Sequence, residues 1–129
     1  MELSEIRNLL EGYAEKINGF RESLDLERLE EEIALLENDM AQPEFWNDQA
    51  AAQKVIDESN ALKAKYDNYQ AMNNMLEEAQ TMLEMLQEEA DEEMQAELEE
   101  MTIALGQKIE SYELEIMLNQ PCLLYTSPS

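Results

Sequence analysis

Carboxylates are the side chains of this sequence with the greatest capacity for chemistry, because 31 Asp and Glu residues stand against only 8 Lys and Arg residues. The densest runs lie at residues 30–32 and 88–93, and paired carboxylates can act as general acid and base or bind a divalent cation. A general acid needs a pocket that raises its pKa, whereas these runs are typical of solvated helix faces. An EF-hand loop would need glycine at its sixth position, which neither run supplies. We therefore predict no catalytic residue, no cofactor and no metal site, with only diffuse cation binding at residues 88–93.

Other reactive side chains are scarce. Histidine is absent and Cys122 is the only cysteine, which excludes Ser-His-Asp and Cys-His nucleophiles, ordinary zinc sites and a disulfide framework. No signal peptide or membrane-spanning run is found in the sequence, so we expect a cytoplasmic protein. The formal net charge of −23 repels phosphate groups and anionic lipids. We therefore expect neither direct nucleic-acid binding nor membrane contact.

One stretch determines how the helices before and after it are placed, because the helical pattern stops and restarts there. Residues 40–53 read Met-Ala-Gln-Pro-Glu-Phe-Trp-Asn-Asp-Gln-Ala-Ala-Ala-Gln and are called here the Trp corner. Pro43 lacks an N–H and disfavours helical geometry in the preceding residue, so the incoming helix is predicted to end near Ala41. A new helix follows, capped by side-chain oxygens of the corner and with residues 49–53 as its first turn. The candidate site residues are Pro43, Phe45 and Trp46 at the bend and Asn47 and Asp48 as the caps.

The two aromatic residues of the corner have two possible roles. Phe45 and Trp46 can close the end of a helical bundle as a buried plug, and this is the interpretation that we favour at this point. Truncation of a buried Trp typically costs about 3–5 kcal/mol, which would matter in a small domain. Alternatively, the aromatic pair binds a partner.

Apolar residues at steps of three and four predict two helices before the corner. The first stripe consists of Leu3, Ile6, Leu9, Leu10, Tyr13, Ile17 and Phe20, and the second of Leu26, Leu29, Ile33, Leu36 and Met40. The pattern falters between Gly19 and Asp25, where either a break or a kink fits the sequence. Asp25 is predicted to cap the second helix.

The segment after the corner carries the longest stripe. Apolar residues recur at seven-residue spacing, with a second row three or four residues further on, which favours one face packed on a partner helix. The first row is Val55, Leu62, Tyr69, Leu76 and Leu83, and the second is Ser59, Tyr66, Met72, Ala79 and Leu86. Met75, Met82 and Met85 widen this face, and we interpret them as core filling, with a binding surface as the alternative.

A dense acidic block at residues 87–93 is the predicted turn of a helical hairpin, with Asp91 capping the last helix. The apolar stripe of that helix consists of Met94, Leu98, Met101, Leu105, Ile109, Tyr112 and Ile116. Gly106 interrupts this helix without a turn partner, so we predict close packing against a neighbour. The predicted fold is all-α, an antiparallel helical bundle of about four helices with a long helical hairpin.

The last residues have a different character. From Pro121 onward the sequence is uncharged, lacks helical periodicity and contains two prolines. It resembles the tail that arises when a gene model at the end of an assembled DNA fragment is translated through sequencing-adapter DNA. We therefore assign residues 1–120 to the helical domain and residues 121–129 to a non-native or disordered tail, and give no functional weight to Cys122.

The corner and the preceding helix carry a family resemblance. Residues 25–32, Asp-Leu-Glu-Arg-Leu-Glu-Glu-Glu, and residues 42–48, Gln-Pro-Glu-Phe-Trp-Asn-Asp, followed by Ala52 and Gln53, resemble the N-terminal helical domain of bacterial peptide chain release factors. The similarity covers residues 1–120, including the hairpin at residues 89–93, and the Gln-Pro-x-x-Trp-Asn combination favours the release factor 2 branch over release factor 1. The resemblance implies an N-terminal accessory domain of a truncated translation termination factor.

What the resemblance implies can be stated concretely. A complete factor of this branch recognises UAA and UGA stop codons on the ribosome and triggers hydrolysis of peptidyl-tRNA, and its helical domain lies toward the stalk base. The family reads the codon with a Ser-Pro-Phe element and promotes hydrolysis with a Gly-Gly-Gln loop, neither of which occurs in this sequence. We therefore expect a monomeric fragment that is inactive alone and is not an enzyme.

Two further hypotheses fit the composition. A stand-alone helical adaptor or chaperone-like coiled-coil module would use its Leu and Met stripes to meet a partner chain. An acidic mimic of nucleic acid would use the net charge of −23 to occupy a basic protein.

Overall fold

The computed structural model describes residues 1–119, and within that range the chain is helical with no β-strand. Helix α1 spans Leu3–Leu24, α2 spans Leu26–Met40, α3 spans Gln49–Glu88 and α4 spans Glu92–Asn119, with a 3₁₀ helix at Pro43–Asn47 between α2 and α3. The prediction of an all-α helical bundle with about four helices and a long hairpin is confirmed. The predicted tail at residues 121–129, with Cys122, lies outside the described residues.

The described residues form two compact units. Among the described residues, unit 1 combines residues 1–17 with residues 72–119, and unit 2 consists of residues 18–71. Helices α1 and α3 each contribute to both units.

Unit 1 is built on the predicted hairpin between the C-terminal part of α3 and α4. The turn comprises only residues 89–91, which places the two helices side by side and antiparallel. The Oδ1 atom of Asp91 accepts hydrogen bonds from the backbone N–H groups of Glu93, at 3.0 Å, and Met94, at 3.2 Å. The predicted cap at Asp91 is therefore confirmed, and it satisfies two N–H groups that a helix start leaves without intrahelical partners.

The first part of α1 completes the core of unit 1. The amino group of Met1 lies 3.2 Å from Oε2 of Glu99, and Nζ of Lys16 lies 3.0 Å from Oε1 of Glu113. Because these partners advance together along the sequence, α1 runs parallel to α4. Leu9, predicted in the stripe of the first helix, is 38% exposed. The other stripe residues of this unit are mostly confirmed by buried apolar side chains: Ile6, Leu10, Ile17, Met72, Leu76, Ala79, Leu83, Leu86, Leu98, Leu105, Ile109 and Tyr112.

Gly106 makes the predicted close approach to a neighbouring helix. A Cβ atom built at this position would collide with the Tyr13 hydroxyl and would lie 3.0 Å from its Cζ atom. A side chain at position 106 would occupy space that the Tyr13 ring already fills, which explains why glycine is accommodated in the interior of α4.

The methionines of α3 only partly fill the core. Met75 and Met82 are half-buried, whereas the side chain of Met85 is 49% exposed. The prediction of core filling is wrong for Met85. Leu86, the next residue along α3, is only 3% exposed, so the exposure of Met85 reflects the face of the helix on which it lies rather than the end of the helix.

Unit 2 consists of the end of α1, all of α2, the corner and the first part of α3. Helix α2 runs antiparallel to α3, and Nζ of Lys63 pairs with Oε1 of Glu37 at 3.0 Å. The buried side chains of unit 2 are Leu29, Ala52, Ser59 and Tyr69. The Oγ atom of Ser59 is buried with no hydrogen-bond partner among the described residues.

A single residue separates α1 from α2. Asp25 adopts left-handed backbone geometry, with φ 50° and ψ 72°, a region that non-glycine residues rarely occupy. The break-or-kink alternative is thus resolved as a break. Asp25 occupies the N-cap position of α2 as predicted, but it makes no side-chain cap hydrogen bond. Its backbone carbonyl accepts from the N–H of Leu29 at 3.0 Å.

Candidate functional site: the Trp corner

At the start of the Trp corner, backbone hydrogen bonds and the proline end helix α2. Helix α2 ends at Met40, in agreement with the predicted end near Ala41. Gln42 is extended, with φ −73° and ψ 140°, which is the geometry that a following proline favours. Its backbone N–H donates to the Asp39 carbonyl at 3.1 Å, and its side-chain Nε2 donates to the Asn38 carbonyl at 3.3 Å. Pro43 then begins the 3₁₀ helix.

At the end of the corner, Asp48 caps the start of helix α3. Its Oδ1 atom accepts a hydrogen bond from the N–H of Ala51 at 3.2 Å, and its carbonyl accepts from the N–H of Ala52 at 2.9 Å. Helix α3 begins at Gln49, as predicted. Of the two predicted caps, Asp48 therefore occupies the capping position, while Asn47 is the exposed last residue of the 3₁₀ helix.

The two aromatic side chains of the corner contact each other edge to face. The ring centroids of Phe45 and Trp46 lie 4.8 Å apart, with an angle of 86° between the ring planes, which is a favourable aromatic arrangement. Phe45 is half-buried, but 59% of the Trp46 side-chain surface is exposed. The interpretation of the pair as a buried plug is therefore wrong for Trp46, and the alternative of a partner-binding aromatic stays a prediction.

The surroundings of the aromatic pair are acidic. Asp39, Glu44 and Asp48 are exposed, and no Lys or Arg occurs between Arg28 and Lys54. The corner therefore presents one large apolar group within a field of negative charge. Such a surface can bind by burying the indole, but it offers no nucleophile or base that is activated by burial.

A second feature of unit 2 is an open groove of about 360 Å³ between α2 and α3. It is lined by Glu30, Ile33, Ala34, Glu37, Lys63, Tyr66 and Asp67. The negative charge of Glu30 is the main reason that the pKa of Tyr66 is raised, and a hydrogen bond between the two side chains acts in the same direction. Sequence reasoning missed this pair, because it assigned Tyr66 to an apolar stripe and Glu30 to a solvated run, and the spacing of residues contains no signal that aligns α2 with α3 at this register.

Burial also affects one tyrosine of unit 1. The pKa of Tyr112 is raised, mainly because burial penalises the phenolate and secondarily because of the nearby Glu115. Within residues 1–119 no three His, Cys, Asp or Glu side chains are grouped so as to hold a metal ion. Over the same residues, no helix combines the length and the apolar character needed to cross a membrane.

Comparison with known proteins places the corner within a matched region. A family model described as the PCRF domain matches residues 29–122. The chain is 50% identical over 121 residues to "Peptide chain release factor 2" from an Exiguobacterium species, 51% identical to the protein of that name from Listeria innocua and 44% identical to that from Lactiplantibacillus plantarum.

These alignments differ greatly in how much of each partner they cover. They include 94% of this chain but only 32–33% of each relative. The chain therefore spans about a third of the length of the curated relatives that it matches. The residues matched by the family model include the Trp corner, the hairpin turn and all of α4.

Proposed function

This chain belongs to the PCRF-domain family, and on that premise we propose that it is the N-terminal accessory domain of a bacterial peptide chain release factor of the release factor 2 kind. The observation that carries the proposal is the identity of about half of the aligned residues across 94% of the chain. We further propose that the complete factor acts in translation termination at UAA and UGA codons, in the cytoplasm.

The partner in this proposal is the ribosome, on the side of the stalk base. The formal charge of −23 favours an accessory role for this domain over RNA binding, because negative charge opposes approach to phosphate. Contacts with ribosomal RNA, codon reading and peptidyl-tRNA hydrolysis would fall to other parts of the factor. The domain itself would act as a monomer without catalytic residues.

The buried stripes disfavour the alternative of a stand-alone coiled-coil adaptor. Such a module would need leucine stripes that are exposed to a partner chain. The stripe residues Leu76, Leu83, Leu98 and Leu105 are instead all buried within unit 1. Opening these stripes would expose the core of the unit. The apolar stripes are therefore accounted for by intrachain packing.

A domain exchange tests the proposal. Residues 1–119 would replace the corresponding region of the Listeria innocua release factor 2, and peptide release would be measured on ribosomes programmed with UAA, UGA or UAG. We expect the chimera to release peptide at UAA and UGA and not at UAG, while the 129-residue chain alone releases none. A factor lacking the entire region is the control, and a chimera no better than this deletion would refute the proposal.

A further inference from the structure

Trp46 is the exposed side chain of unit 2 with the greatest capacity to anchor a partner. More than half of its surface, 59%, is open to solvent, although indole burial is strongly favourable. Tryptophan is among the residues most enriched at binding hot spots, where a single side chain supplies much of the affinity.

The indole is also held in a fixed position before any partner arrives. Pro43 fixes the start of the turn, the N–H of Phe45 donates to the Gln42 carbonyl at 3.2 Å, and Asp48 ties the end of the turn to α3. The edge-to-face contact with Phe45 restricts the ring itself. Binding would therefore require little ordering of the corner, which is a condition for high affinity from a small surface.

The charge around the indole selects the kind of partner. Asp39 near the end of α2 and Glu44 within the 3₁₀ helix are exposed, and residues 29–53 contain no basic side chain. This acidic rim repels RNA, anionic membranes and a second copy of the same chain. It complements a protein surface whose apolar pocket is edged by Lys and Arg.

We propose that the Trp corner is a docking element, in which Trp46 and Phe45 enter an apolar pocket on a basic ribosomal protein and Asp39 and Glu44 face the basic edge of that pocket. This inference rests on the proposed function and names the chemistry of the partner within it. Protein rather than ribosomal RNA is the contacted component, because the corner offers no positive charge to neutralise phosphate.

Because Trp46 is the only tryptophan of the chain, its fluorescence reports on the corner directly. In the free 129-residue chain we expect efficient acrylamide quenching of the indole. Addition of purified large ribosomal subunits should shift the emission to shorter wavelength and reduce the quenching. Unchanged emission and quenching at saturating subunits would overturn the proposal.

Substitutions separate the anchor from its surroundings. The binding of dye-labelled variants to large subunits would be measured, and we expect Trp46→Ala to weaken it at least about 30-fold, as removal of a hot-spot residue does. The matched control is Leu35→Ala, since Leu35 is 66% exposed on α2 of the same unit and should leave affinity unchanged. Glu44→Gln should slow association and reduce its dependence on salt. Equal affinities for the Trp46 and Leu35 variants would refute the anchor.

The nature of the partner and the link to termination are tested in the chimeric release factor. A photoreactive benzoylphenylalanine replacing Trp46 should cross-link to a basic ribosomal protein, whereas cross-linking to ribosomal RNA would overturn the choice of partner. Weak quenching of Trp46 in the free chimera would show that the factor itself covers the corner, which also overturns the proposal. If the chimera terminates normally and Trp46→Ala changes nothing, docking fails while the proposed function stands. A chimera without release activity refutes the proposed function instead.

Discussion

Gly106 gives the most direct quantitative test of the packing in unit 1. Gly106→Ala would gain roughly 1 kcal/mol of helix propensity in the interior of α4. Against this gain, the new Cβ atom would collide with the Tyr13 hydroxyl and lie 3.0 Å from Cζ. The hydroxyl cannot retreat alone because it is fixed to a planar ring, so the whole ring must move, and overpacking of this kind typically costs about 1–3 kcal/mol. The net expectation is a loss of roughly 0–2 kcal/mol in the free energy of unfolding.

The same substitution elsewhere provides matched controls. Gly12 and Gly19 both lie within α1, and a Cβ atom at either would meet nothing within 4 Å. Gly12→Ala and Gly19→Ala should therefore stabilise the protein by about 0.5–1 kcal/mol. In a chain of 129 residues, 1 kcal/mol corresponds to a change of about 4 °C in Tm.

Urea unfolding followed by circular dichroism would measure all three variants, and a double-mutant cycle would assign the cause. Tyr13→Phe removes the nearest atom, so Gly106→Ala should cost less in that background than in the wild type. If Gly106→Ala stabilises the wild type as much as Gly12→Ala does, the close approach has no energetic effect and the reasoning is refuted.

Three further predictions concern individual side chains. Asp91→Ala should lower the free energy of unfolding by about 1 kcal/mol, measured in urea, because it removes the acceptor for two backbone N–H groups at the start of α4; no change would contradict the cap. Ser59→Ala should stabilise the protein by about 1 kcal/mol, since it removes a buried hydroxyl that has no hydrogen-bond partner within residues 1–119, and the exposed Ser111→Ala in α4 should give a smaller gain. The pKa of Tyr66 is raised mainly by the negative charge of Glu30, so folding favours the protonated phenol. The resulting contribution of Tyr66 to the free energy of unfolding is fully present below the unfolded pKa of about 10 and is lost as pH rises through the raised folded pKa. Denaturation at pH 9–11 should therefore show a smaller alkaline loss of stability in Tyr66→Phe, and an unchanged loss would contradict the pairing.

Much of the fold could be predicted because its signals are local. Pro43 and Asp48 mark the ends of the corner through the missing N–H of proline and the capping oxygen of aspartate. Asp91 marks the hairpin in the same way. The spacing of apolar residues identified the buried faces of α3 and α4, because burial of one stripe is what stabilises a helix in water.

The wrong predictions concern side-chain exposure, backbone conformation and the register between helices, which residue type alone does not determine. Apolar character alone predicted burial of Trp46, but the side that a short 3₁₀ turn presents depends on how α2 and α3 pack, and the indole is exposed. Asp25 has a residue type suited to capping, yet its left-handed backbone leaves it without a side-chain cap hydrogen bond. The pairing of Tyr66 with Glu30 depends on the register between two helices. None of these outcomes is encoded in spacing along a single helix.

The composition of unit 1 also constrains how the protein is made. Its core joins Ile6 and Leu10 of α1 to Leu105 and Ile109 of α4, so the first helix leaves the ribosome long before its partner exists. At ordinary bacterial synthesis rates of about 5–20 residues per second, the apolar face of α1 waits on the order of ten seconds for α4. During that interval the nascent helix presents an unprotected apolar stripe. The need for chaperone cover should therefore be greatest early in synthesis and end when α4 emerges.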